Sequence, residues 1–158
     1  MNTTLKERLR ADLTASLRAR DSIRTGTIRM ALTAVTNEEV AGESARELSD
    51  DEVLGVLQRE AKRRREAAQA YDDASRLDLA DRERAELDIL AGYLPAQLDD
   101  AGLAEIVTAA IRQVQAAQPG VEGPRAMGAV MKAVNPVVGG RADGARVAAE
   151  VKRQLGLG

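Results

Sequence analysis

Histidine, cysteine, phenylalanine and tryptophan are absent from the 158 residues, and Tyr71 and Tyr93 are the sole aromatics. Without histidine there is no imidazole base, no Ser-His-Asp triad and none of the commonest metal ligands. Without cysteine there is no thiolate nucleophile, zinc knuckle or disulfide framework. Two tyrosines cannot build the stacking platforms on which most single-strand RNA binders rely. No long apolar run approaches a membrane span, and charges at Lys6, Glu7, Arg8 and Arg10 replace the apolar core of a signal peptide. These absences predict a cytoplasmic binding or scaffolding protein with no cofactor, no metal and no intrinsic activity.

What is present suits a folded chain. Apolar residues make up 44% and charged residues 30%, too apolar a balance for disorder. The core must be built from Leu, Val, Ile, Ala and Met, and the abundance of Ala, Arg, Glu and Leu favours helix. The net charge of −2 does not announce a nucleic-acid binder. Its distribution is less even. Residues 1–29 hold Lys6, Arg8, Arg10, Arg18, Arg20, Arg24 and Arg29 against Glu7, Asp12 and Asp21. Residues 112–158 hold Arg112, Arg125, Lys132, Arg141, Arg146, Lys152 and Arg153 against Glu122, Asp143 and Glu150. Two basic ends on an acidic protein fit either a polyanion footprint or chance clustering on solvated faces.

Apolar periodicity and capping signals predict seven helices and no strand. Thr4 through Glu7 has capping-box form and opens a helix with Leu5, Leu9, Leu13 and Leu17 on one stripe. Asp21 or Ser22 starts a second, carrying Ile28, Leu32 and Val35 to about Gly42. Ser49 through Glu52 is another capping box, opening a helix towards Tyr71. A break follows over Arg76 to Leu79, and a fourth helix carries Leu87, Leu90 and Tyr93 up to the stop at Leu94-Pro95. Asp99 and Asp100 can cap a fifth, with Leu103, Ile106, Val107, Ile111 and Val114 at helical spacing. The sixth runs from about Arg125 to Val134, with Met127 and Met131 inward, until Asn135-Pro136 ends it. Asp143 caps the last, which carries Val147, Val151 and Leu155. The fold class is all-α: an N-terminal helical domain over 1–94 and a small three-helix domain over 95–158.

Gly139-Gly140-Arg141-Ala142-Asp143-Gly144 is a side-chain-poor turn ahead of a helix, where backbone N–H groups can meet a phosphate and Arg141 can add charge. A tight inter-helix turn needing positive φ is the competing account. The loop lacks the Gly-Lys-Ser/Thr ending of a nucleotide-binding P-loop. Arg59 through Glu66 rings its helix, with Glu60–Arg64 and Lys62–Glu66 as i,i+4 pairs, and reads as a solvated, salt-bridged surface. The adjacent carboxylates Glu38-Glu39, Asp50-Asp51, Asp72-Asp73 and Asp99-Asp100 diverge by about 100° on a helix and cannot share a proton or metal. They read mostly as solvated faces or first-turn dipole partners.

Several segments together resemble the YqeY family, related to the tail of the B subunit of the glutamyl/aspartyl-tRNA amidotransferase. They are Arg20-Asp21 through Met30, Asn37 through Val40, Arg63 through Tyr71, Arg76 through Ala80, Glu86 through Leu90, Tyr93 through Leu98, Met127 through Met131, and Gly140 through Gly144. The resemblance implies a larger helical domain followed by a three-helix domain that contacts the outer corner, or elbow, of tRNA. It implies no amidase, kinase or aminoacylation machinery. RNA-facing residues would be Gly128, Lys132, Gly140, Arg141, Gly144, Arg146 and Lys152. The implied partners are tRNA and an aminoacyl-tRNA synthetase or amidotransferase, not a membrane. Where relatives often carry lysine, this chain has Ala129, Val137 and Gly139, which predicts weaker phosphate binding. Two other roles stay open: a glutamine-using carbon–nitrogen ligase component, and a protein-interaction adaptor docking through the N-terminal domain.

Overall fold

A computed structural model describes residues 3–158, and within them every regular element is helical. The elements are α1 (Leu5–Arg18), α2 (Ser22–Glu39), α3 (Asp50–Asp73), α4 (Leu77–Ala91), α5 (Asp100–Ala117), α6 (Pro124–Val138) and α7 (Gly144–Gln154). They fall into two compact units, Met1–Leu94 and Pro95–Gly158.

In the first unit α2 touches α1, α3 and α4, while α3 and α4 pair most extensively. Both capping boxes form. Glu7 N–H donates to Thr4 Oγ1 (3.1 Å) and Thr4 N–H to Glu7 Oε2 (3.3 Å). Ser49 and Glu52 repeat the exchange at the start of α3. Asp21 caps α2 by accepting from Arg24 N–H at 3.1 Å. The core draws Leu9 from α1, Ile28 and Val35 from α2, Val53 and Leu57 from α3, and Leu90 from α4. Leu17 does not join it and is 48% exposed. A four-residue step overshoots the helical turn by about 40°, so the stripe beginning at Leu5 has rotated off the core by its fourth member. Ser16 takes the buried place, its Oγ 2.8 Å from Thr25 Oγ1.

Three further sequence expectations are corrected here. Arg64 is not solvated: it is 4% exposed, with Nη1 3.0 Å from Glu60 Oε2 and Nε 3.3 Å from Glu86 Oε2. The ring of charges around α3 must cross the side facing α4, and Arg64 is the member that falls there. Glu39 is likewise buried, accepting from Lys6 Nζ (2.8 Å) and Leu48 N–H (3.1 Å), so it pins the loop before α3 to α1. Those two donors, Lys6 first, hold its carboxyl below the usual glutamate range. Finally, α4 ends at Ala91, ahead of Leu94-Pro95, and Tyr93 lies just past it. Its ring is buried, its hydroxyl donates to Asp12, and the Arg8 guanidinium stacks 4.6 Å from the ring centroid. The break between α3 and α4 centres on Ser75, a non-glycine residue at φ 59°.

The second unit is three mutually packed helices around Leu103, Val107, Val114, Val130, Val134, Val147 and Val151. Asp99 caps α5 through Gly102 N–H at 2.7 Å. Pro136 does not end α6, which continues to Val138. Val134 and Val138 are both buried, and that packing carries the helix a further turn despite the lost N–H. Termination comes instead from Gly139 and Gly140, at φ 55° and 81°. Two successive left-handed residues suit glycine and few others.

Candidate nucleic-acid interface

The residues singled out for RNA all lie on α6, on α7 or in the turn between them, but not all on the outer surface. Gly128, Lys132, Gly140, Gly144 and Lys152 are exposed. Lys132 and Lys152 have no carboxylate partner, so their charges are available to an outside anion. Gly128 and Gly144 sit within helices at ordinary φ, and a Cβ at either would meet no atom within 4 Å. No fold contact requires glycine there. Glycine inside a helix costs about 1 kcal/mol against alanine, a cost that applies to Gly128 within α6 and not to Gly144, the first residue of α7.

Arg141 and Arg146 are already engaged. Arg141 folds back on the end of α6, donating from Nη2 to Val137 O (2.7 Å) and from Nε to Val138 O (3.1 Å). Its own carbonyl accepts from Leu98 N–H at 2.8 Å, so the residue ties the turn to the segment entering α5. Arg146 Nη2 donates to Asp100 Oδ1 (3.0 Å) and Leu98 O (3.1 Å). Glu150 and Gln154 continue this side of α7. Gln154 donates to Ala104 O at 3.0 Å, and Glu150 accepts from Arg153 and Gln154, each at 2.9 Å. Those two donors, Arg153 first, lower the Glu150 pKa to about 2. Lys152 is turned about 120° from Arg146 on the helix, away from α5. The structure thus bonds one side of α7 to α5 and leaves Ala145 and Lys152, at i and i+7, exposed on another. Asp143 occupies the N-cap position of α7 but makes no side-chain capping bond.

One residue of the basic C-terminal stretch joins this surface without being among those the resemblance implied. Arg125 lies in the first turn of α6 and is exposed, and with Gly128 and Lys132 it falls at i, i+3, i+7 on one outer stripe. At the positions where lysine was expected, Ala129 is half-buried and Val137 is 55% exposed beside Ile106, Ala109 and Ala133, an apolar groove on the other side of α6. Among the described residues no group of three or more Asp or Glu side chains could hold a metal ion, and no helix is long and apolar enough to cross a membrane.

This arrangement defines a class by fold: an all-helical chain of two units, the second with a glycine-rich turn flanked by exposed lysines. The family model described as Yqey-like protein matches residues 6–155, and the chain belongs to that family. It is similar to "Altered inheritance of mitochondria protein 41, mitochondrial" of Pyrenophora tritici-repentis (strain Pt-1C-BFP), at 29% identity over 154 residues. That alignment covers 94% of this chain and 80% of the relative. An uncharacterized protein of Schizosaccharomyces pombe (strain 972 / ATCC 24843) is 31% identical over 88 residues, covering 55% of this chain and 69% of that one.

Proposed function

We propose that the second unit docks on folded tRNA at its elbow, as a non-catalytic accessory in the cytoplasm to an aminoacyl-tRNA synthetase or amidotransferase. The observation that carries this reading is the pair of glycines without an internal role. Gly128 and Gly144 leave the outer faces of α6 and α7 bare beside unpaired Lys132 and Lys152. A bare helix face admits a sugar-phosphate backbone or base edge at close range, while the lysines neutralise phosphates with counterion release. The resemblance of this family to an amidotransferase B-subunit tail points to the same partner. Gly140 lies in the turn beside that surface. Arg141 acts indirectly by holding the turn in shape, and Arg146 by anchoring α7 to α5.

The test is a fluorescence-anisotropy titration of labelled tRNA against the full chain and its Lys132→Glu/Lys152→Glu variant across a salt series. Binding should weaken, and the slope of log affinity on log salt should fall by about 2, one unit per lost phosphate contact. An unchanged slope and affinity would refute the assignment. Arg141→Glu is the wrong probe, because it would release the end of α6 whatever the surface binds.

A further inference from the structure

The cations of the first unit are distributed unequally between pairing and freedom. On α3 and α4, Arg59, Lys62, Arg63, Arg64, Arg82 and Arg84 each have a carboxylate within 4.0 Å, and Arg65 is engaged as well. Around the α1–α2 corner, Arg18, Arg20 and Arg29 have no ion-pair or hydrogen-bond partner for their side chains. Asp21, the acid within the corner, is already taken by the α2 cap and by Arg24 at 3.5 Å.

Three more observations fall on the same corner. Leu17, Ile23 and Met30 are 48%, 45% and 53% exposed; Leu17 and Ile23 flank the corner, whereas Met30, seven residues on from Ile23, also accepts at its sulfur from Arg64 Nη2 of α3 (3.7 Å). Gly26 lies between Ile23 and Met30 in the helix, and a Cβ there would meet nothing within 4 Å. Arg20, at φ 58°, is the left-handed residue that ends α1, where its N–H donates to Leu17 O (3.2 Å) and Asp21 N–H to Ser16 O (3.0 Å).

From these we infer that the α1–α2 corner is a protein-docking surface whose occupant is an acidic amphipathic helix of a partner protein. Charge complementarity sets the sign: three free arginines call for carboxylates. The aliphatic side chains set the class. A phosphate backbone gains little from the exposed aliphatic side chains of Leu17 and Ile23. A lipid surface needs a broad apolar face, whereas the apolar face of α2, with Ile28, Ala31 and Val35, is buried in the unit's own core. An incoming helix uses all three features: apolar anchors against Leu17 and Ile23, close backbone approach over Gly26, and carboxylates towards the arginines. The inference is independent of the RNA reading, since it concerns the other unit and other residues.

The test places the photocrosslinker p-benzoylphenylalanine in place of Ile23 in the full chain, expressed in its own host, with the same group in place of Asp81 on α4 as control. Adducts are nuclease-treated and the joined peptide is sequenced by mass spectrometry. The expected result is one predominant protein adduct, absent from the control position, whose joined peptide carries Asp/Glu and aliphatic residues at helical spacing. Arg18→Glu/Arg20→Glu/Arg29→Glu should lower its yield about tenfold, the cumulative effect of reversing three exposed charges. Gly26→Leu, which fits the open helix face, should lower it equally and covers the case in which the triple variant does not fold. Adducts to RNA, to lipid or to a second copy of this chain would overturn the inference. So would no specific adduct, a joined peptide lacking acids, or a yield that both variants leave unchanged.

Discussion

Replacing Arg64 by alanine removes the cation held between Glu60 and Glu86, at 3.0 and 3.3 Å, and leaves both carboxylates in a site where their side chains are 12% and 16% exposed. Breaking a buried ion pair from one side costs about 3–5 kcal/mol, because the orphaned charge keeps its desolvation penalty. Two features place this site towards the lower end of that range. Arg82 lies 3.7 Å from Glu86 and Arg63 lies 3.2 Å from Glu60, and both retain part of the compensation. A loss of about 3 kcal/mol corresponds to a fall in melting temperature of roughly 12–24 °C for a unit of this size. The assay can be confined to the unit concerned, since Tyr71 and Tyr93 both lie within Met1–Leu94. Tyrosine fluorescence follows the first unit alone, while far-ultraviolet circular dichroism follows both. Arg64→Ala should therefore lower the fluorescence transition and leave the remaining dichroism transition in place. Arg64→Met with Glu86→Leu, which substitutes apolar groups for both ions, should recover most of the loss. A cost below about 1 kcal/mol for Arg64→Ala would refute the view that this pair is insulated from solvent.

Other expectations follow from the same contacts. Val130→Ala empties a fully buried position in the second core and should cost that unit about 2–3 kcal/mol, seen in dichroism with the tyrosine signal unmoved. Gly128→Ala should stabilise the second unit by up to about 1 kcal/mol while weakening tRNA binding; equal or tighter binding would show that nothing approaches that helix face. Glu150, with its pKa lowered to about 2, stabilises the folded form above the ordinary glutamate value, and that contribution is lost as pH falls from about 5 to 2. Urea midpoints by dichroism should fall over that window, and less steeply in Glu150→Gln. Tyr93 behaves in the opposite sense. Burial, reinforced by the bond to Asp12, raises its pKa well above the usual value, so its contribution holds below about pH 10 and is lost as the phenol ionises. An absorbance titration should show one phenol ionising late in the folded chain, and Asp12→Asn should bring it forward.

The helices were legible because their signals are local. Thr4, Ser49, Asp21 and Asp99 announce helix starts through bonds to residues three positions on, and no tertiary knowledge is needed to see them. What failed was whatever depends on which side of a helix meets a neighbour. Arg64 and Glu39 resemble surface charges in the sequence and are buried because α3, α4 and the loop carrying Leu48 close over them. Pro136 resembles a stop, and the packing of Val134 and Val138 overrides it. The candidate interface was half legible. Its glycines and lysines stood out by type, but the recruitment of Arg141 and Arg146 to internal carbonyls and Asp100 required the fold.

The interior of the second unit is dominated by valine, from Val107 and Val114 through Val130 and Val134 to Val147 and Val151. On a helix a β-branched side chain has essentially one rotamer, so these residues surrender little freedom when they pack and have few other ways to interlock. A core with so stiff a filling has little scope to rearrange when its surface is loaded. Under the proposed tRNA reading, discrimination would then come from contour, with misfits rejected instead of accommodated.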